Sequence, residues 1–183
     1  MRLVLFAVVL MFAARAGAEP QTYTFSWTGA GGYSMQGALS FDDALVSGPI
    51  VLRDDVSCFV IEGFFEGDPI GRWGLGMLTP ETSWRLHFSP AQKAFVTEGY
   101  FINMPQAWNM NGAGNDCGEG GFGFNLGNIG QDLCLSNVMV EESRISPYED
   151  FPATLDPEFV FPADACRGVM ILSQYRAPVA DAG

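Results

Sequence analysis

Cys117-Gly118-Glu119-Gly120-Gly121-Phe122-Gly123-Phe124-Asn125-Leu126, running on to Cys134, is the stretch on which the fold turns. Its residues 118–123 fit the G-x-G-x-x-G fingerprint of dinucleotide-binding folds. That fingerprint works only where a strand enters a tight glycine turn and a helix follows, its amino end holding the pyrophosphate. Here Phe122, Phe124 and Leu126 alternate with Gly121, Gly123 and Asn125, which is the period of a strand. The expectation is a glycine-rich strand over 122–126, stapled at both ends by cysteine and open to close approach by another backbone or ring.

The same period runs outward in both directions. Tyr23, Phe25 and Trp27 alternate with Thr22, Thr24 and Ser26, and after Gly29-Ala30-Gly31-Gly32 the residues Tyr33, Met35, Leu39 and Phe41 alternate with Ser34, Gln36 and Ser40. That predicts a hairpin with one apolar face. Residues 56–65 are apolar on both sides of the alternation, as in a strand covered on two faces. Around the turn Pro90-Ala91-Gln92-Lys93, one register places Phe88 opposite Phe95, Trp84 opposite Gly99 and Arg85 opposite Glu98, with His87 on the solvent side. Further strands are expected over 133–141 and 167–174. A short helical turn is suggested at 54–57. Prolines at 147, 152, 157 and 162 lie among acidic residues and predict an extended connection over 146–165 rather than a strand or helix. About nine short strands with very little helix indicate an all-β domain, an antiparallel sandwich or a jelly roll.

The amino end, MRLVLFAVVLMFAARAGAEP, has a basic start, an apolar run of 12 residues and the small triplet Ala16-Gly17-Ala18. This is the layout of a signal peptide, residues 1–18, cleaved after Ala18. The run is shorter than the roughly 20 residues a membrane-spanning helix requires. A single domain over 19–183, with no membrane insertion after cleavage, is the expected mature form. Loss of Arg2 and Arg15 would leave 7 basic against 21 acidic residues, a net charge of −14. Such a surface repels phosphate backbones and anionic lipid, which argues against nucleic-acid or membrane-surface binding.

Cys58, Cys117, Cys134 and Cys166 are an even set in a chain bound for an oxidising compartment. None lies at metal-ligand spacing, and His87 is the only histidine, so zinc is disfavoured. Three disulfide connectivities are possible; the preferred one closes the glycine-rich strand with Cys117–Cys134 and leaves Cys58–Cys166. Gly120–Asn125 is similar to the start of the calcium-binding G-G-x-G-x-D repeat, but a single copy with Asn125 in place of aspartate does not build that site. Acidic turns at Asp42-Asp43, Asp54-Asp55 and Glu66-Gly67-Asp68 leave calcium as an option, with solvated caps the commoner use. Glu62, Glu66, Glu98 and Glu141 are candidate strand-borne carboxylates for glycoside chemistry, yet nothing in the sequence pairs them. No catalytic residue and no cofactor is assigned. Trp27 and Trp84 fall on apolar faces. Trp73 and Trp108 sit among small and polar neighbours and are the expected ligand platform.

Residues 23–27, then Tyr33-Ser34-Met35-Gln36-Gly37-Ala38-Leu39-Ser40-Phe41-Asp42-Asp43-Ala44, then 50–59 and the hairpin at 88–96, resemble bacterial exported proteins of the PEP-CTERM type over residues 21 to about 100. The resemblance implies export and β architecture and carries no catalytic residue. The terminal residues 175–183 lack the Pro-Glu-Pro sorting signal, so periplasmic or extracellular residence is expected. The functional expectation is an exported, non-enzymatic β-sandwich that serves as a binding or structural module for a glycan or protein. The alternative is a carbohydrate-binding or carbohydrate-cleaving jelly roll.

Overall fold

Thirteen strands and one 3-10 turn (Leu75–Met77) make up the regular structure of the computed structural model, which describes residues 20–97 and 103–168. The expected hairpin is formed by β1 (Gln21–Thr28) and β2 (Tyr33–Phe41), with Phe25 opposite Gly37 and Trp27 opposite Met35. After β3 (Val51–Leu52), β4 (Val56–Phe65) pairs with β2 and β5 (Asp68–Gly74) pairs with β4. The link between β3 and β4 is a hydrogen-bonded turn, Asp55 N–H to Leu52 O at 2.9 Å, in place of the expected helical turn.

The segment after residue 83 changes sheet. Trp84–Arg85 (β6) pairs with Gln106–Trp108 (β9), whereas His87–Ser89 (β7) pairs with β3 and with Ala94–Phe95 (β8). The predicted register holds at the hairpin tip, where Phe88 faces Phe95. Trp84, four residues back, faces Trp108 of β9. Arg85 donates to Asn103 O at 2.9 Å; Glu98 and Gly99 lie outside the described residues. His87 is half-buried, with Nδ1 2.7 Å from Pro105 O.

The stretch that decides the fold is β10 (Phe122–Leu126), as expected, and it enters from a turn with Gly118 and Gly120 at φ 91° and 66°. The expected strand over 133–141 is two strands, β11 (Gln131–Leu135) and β12 (Val138–Ile145), because Ser136 and Asn137 adopt φ 49° and 64° and reverse the chain. Two consecutive positive φ values are the geometry of a two-residue hairpin turn, and asparagine tolerates them. The expected strand over 167–174 lies outside the described residues from 169 onward.

The expected acidic connection also contains a strand, β13 (Phe151–Leu155), inserted between β8 and β1. Proline is tolerated here for a geometric reason. Ala153 N–H bonds Lys93 O on the β8 side and Asp156 N–H bonds Thr22 O on the β1 side. Position 152 therefore points its nitrogen toward β1, whose pairing with β13 ends at Ala153, so Pro152 forfeits no ladder bond.

Two antiparallel sheets result, in the orders β3-β7-β8-β13-β1-β2-β4-β5 and β12-β11-β10-β9-β6. The larger curls into a half-barrel over the smaller, giving an all-β sandwich. Their facing sides are filled with aromatic rings. Trp108 lies 4.8 Å from Phe59, 4.9 Å from Phe95 and 4.8 Å from Phe124, centroid to centroid. Gln131 ties the layers together, accepting from Trp27 Nε1 at 2.9 Å and donating to Glu149 O at 2.7 Å.

Candidate functional site

Trp73 and Trp108, the expected platform, are 2% and 0% exposed and belong to the core. Trp73 stands opposite Ile61 on the inward side of β5. The polar neighbours of Trp108 misled because they are themselves buried. Gln106 Nε2 bonds His87 O and Val96 O, and Asn109 Nδ2 bonds Cys117 O and Phe122 O. With the interior filled by rings, the places to look for a site are on the outer surfaces.

The glycine-rich loop is no phosphate cradle. Gly118 N–H is taken by Asn137 Oδ1 at 2.7 Å and Gly120 N–H by Ser136 Oγ at 3.0 Å. A Cβ at Gly121 would lie 1.8 Å from Cys117 O. The loop is held by the Cys117–Cys134 disulfide, and Cys58–Cys166 is the second bridge, the preferred pairing in both cases. Asp42 accepts from Ala44 N–H and Asp55 from Leu52 N–H, the capping use of acidic turns. Among the described residues, no group of three or more His, Cys, Asp or Glu side chains could hold a metal ion.

A hollow of about 440 Å³ beside the glycine-rich loop is lined by Trp73, Glu81, Asp116 and Glu119, and one of about 470 Å³ lies along β8 and β13. Two further features are each built around a charged pair. The first is a strap formed by residues 156–166 on the outer face of the larger sheet. Phe159 and Phe161 pack against Ala38 and Val60, which is why β4 is covered on two faces. Cys166 bridges to Cys58, and Phe59 N–H bonds Ala165 O at 2.7 Å. Arg72 forks onto both carboxylate oxygens of Asp164, with Nη2 2.6 Å from Oδ1. This pairing holds the Asp164 carboxyl below the usual carboxylate range and raises the Arg72 guanidinium further. Gly74 admits the strap, since a Cβ there would lie 2.6 Å from Asp164 O.

Beside the strap, Gln36, Glu62 and Arg72 stand directly opposite one another across β2, β4 and β5, and Ser26 of β1 faces Gln36. This ladder is the floor of a groove of about 300 Å³, walled by Phe159 and Pro162. Beyond Gln36 it meets a second hollow of about 220 Å³ lined by Ser26, Thr28, Ser34 and Phe64. Of the candidate carboxylates, only Glu62 enters the groove. Glu66 and Glu141 are exposed elsewhere, and Glu98 lies outside the described residues.

The second feature is a cavity of about 240 Å³ on the smaller sheet, with Asp132 among its lining. Asn125 and Asp132 are cross-strand partners in β10 and β11. A bulge in β11–β12 pairing, between Gln131 and Leu133, lets Arg144 turn back so that its Nε donates to Asp132 Oδ2 at 2.8 Å. Asn125 Nδ2 donates to the other oxygen. The carboxylate is 2% exposed, and burial raises its pKa against the opposing pull of Arg144 and Asn125. Among the described residues lining this cavity Asp132 is the only carboxylate, so they do not form the paired arrangement of a glycosidase. Neither the ladder nor the Asp132–Arg144 pair was foreseen; each requires a strand register that links distant segments.

The chain matches no protein-family model, no curated protein and no solved structure.

Proposed function

We propose that this chain is an exported, non-enzymatic β-sandwich module, periplasmic or extracellular, that works by binding at its outer surface. The observation that carries the reading is the pair of disulfides, both far apart in sequence from the leader-like amino end. Cross-links of this kind persist in oxidising compartments and are rare in the cytoplasm. The resemblance of residues 21 to about 100 to PEP-CTERM-type exported proteins supports the same conclusion and a bacterial source. Among the described residues no helix is long and apolar enough to cross a membrane.

Surface binding follows from packing. Trp108, Phe59, Phe95 and Phe124 fill the centre of the interior at ring-contact distances, so binding is assigned to the hollows that open at the surface. The buried Asp132 carboxyl is held by Arg144 and Asn125 and is the one carboxylate among the described residues lining its cavity, whereas a glycosidase needs two facing carboxyls.

The test is expression of the whole chain in a bacterium, followed by fractionation and amino-terminal sequencing. A product in the periplasm or medium beginning at Glu19 is expected. Full-length chain retained in the cytoplasm with free thiols would overturn the reading.

A further inference from the structure

The groove on the outer face of the larger sheet has a composition that selects a ligand class. Its floor is one cross-strand row, Ser26–Gln36–Glu62–Arg72, in direct register over four neighbouring strands. Four strands at about 4.8 Å spacing give a row about 14 Å long. The row thus runs across the strands, parallel to the hydrogen bonds of the sheet, and suits an elongated occupant lying over several strands.

The hydrogen-bonding groups on this floor are mixed. Gln36 offers two donors and an acceptor, Glu62 an acceptor pair, Ser26 a hydroxyl of both kinds, and Arg72 the N–H groups that Asp164 leaves over. Gln36 and Ser26 are exposed, and Glu62 is half-buried. Among the described residues neither the Gln36 amide nor the Glu62 carboxylate has a hydrogen-bond partner. A surface with adjacent donors and acceptors in one line matches a chain of hydroxyls, each of which both gives and takes a hydrogen bond. Phe159 on one flank and Phe64 on the other supply apolar faces of the kind that pack against the C–H side of a sugar ring.

Charge narrows the class. Arg72 is already neutralised by its two-pronged pairing with Asp164, and Glu62 adds a negative charge beside it. The chain as a whole carries −12. An anionic polymer would meet repulsion both locally and at long range. Ser26, Gln36 and Glu62 stand on β1, β2 and β4, each paired on both sides, and the row meets the sheet's terminal strand only at Arg72 on β5. Edge addition, the way sheets take up extended peptides, would leave most of the row unused.

We infer that this ladder, walled by the strap, is a binding groove for a neutral polyhydroxylated chain, a short stretch of uncharged glycan. The inference rests on the surface-binding part of the reading above and is independent of export. It also assigns the strap a role: the Cys58–Cys166 bridge and the Arg72–Asp164 fork fix the wall against which the ligand lies.

Affinity electrophoresis of the disulfide-bonded chain tests it, in gels containing a β-glucan, a xylan, a galactomannan or a dextran, with alginate and pectate as acidic probes. Retardation in at least one neutral polysaccharide is expected, weakened tenfold or more by Gln36→Ala and by Glu62→Gln. Glu142→Gln on the smaller sheet should leave it unchanged. The inference is overturned by no retardation in any neutral gel, by retardation indifferent to both groove substitutions, by preference for the acidic polymers, or by displacement with peptides but not with sugars. Correct export and disulfide formation in the same preparation would show that only the ligand assignment had failed.

Discussion

Gly63 faces Gly71 across β4 and β5, and the ring of Phe122 from the opposite sheet occupies the space that two side chains would fill. A Cβ at Gly63 would stand 2.2 Å from Phe122 Cε2, and one at Gly71 would stand 2.6 Å from Phe122 Cβ. The first phenylalanine of the glycine-rich strand is therefore locked into a notch made by two glycines more than fifty residues away. Gly63→Ala should destabilise by about 1–3 kcal/mol through overpacking. Phe122→Leu in the Gly63→Ala background should cost less than it does alone, because the smaller side chain relieves the clash. Urea denaturation of the four-member cycle measures this coupling, and strict additivity would contradict it.

Trp108 combines a fully buried ring with an indole N–H that has no partner among the described residues, and the buried Trp84 likewise has none. An unsatisfied buried donor costs about 1–3 kcal/mol. Trp108→Phe removes that donor and keeps an aromatic ring, so its cost should fall below about 1.5 kcal/mol, whereas Trp108→Ala should cost about 3–5 kcal/mol. All four tryptophans are buried. Native emission should accordingly be blue-shifted and poorly quenched by acrylamide, moving red on unfolding.

The two disulfides close loops of very different length, with separations of 108 and 17 residues. On chain-entropy grounds the longer contributes about 4–5 kcal/mol and the shorter about 3 kcal/mol. Replacing Cys58 and Cys166 by serine should therefore lower the denaturation midpoint more than replacing Cys117 and Cys134. The first pair should also loosen the strap, visible as faster amide exchange at Ala165 and Phe59.

Two aspartates respond to pH in opposite senses. Burial raises the folded-state pKa of Asp132 above its unfolded value, so between the two the folded chain holds more protons and stability falls as pH rises. Arg72 lowers the pKa of Asp164, so its contribution is present above the ordinary carboxylate value of 3.8 and is lost as pH falls through the folded value. The stability difference between wild type and Asp132→Asn should therefore shrink as pH rises from 3.8. The difference for Asp164→Asn should grow as pH rises toward 3.8. Thermal midpoints across pH 2 to 7 read both slopes, and a shared sign would contradict the assignment.

What could be read from the sequence was local. The alternation of Phe and Gly in 122–126 fixes β10 because side-chain period alone distinguishes a strand from a helix. The Phe88–Phe95 pairing followed from the position of one turn. Features set by distant partners were not accessible. β13 was hidden because the harm done by Pro152 depends on where its nitrogen points, which only the neighbouring strands determine. Trp73 and Trp108 looked exposed because small or polar neighbours signal surface, yet Gln106 and Asn109 are buried by bonds to backbone carbonyls from other segments. The Gln36–Glu62–Arg72 row requires two registers at once, and Asp132–Arg144 requires a bulge. No motif announces either.

The most direct test is peptide mapping of the purified chain without reduction, because a strap pinned across an outer sheet face is possible only with one pairing of its cysteines. Linked fragments containing Cys58 with Cys166 and Cys117 with Cys134, and no free thiol, are the expected result. A bridge joining Cys58 to Cys117 or Cys134, or Cys166 left as a thiol, would contradict both the strap and the groove beside it.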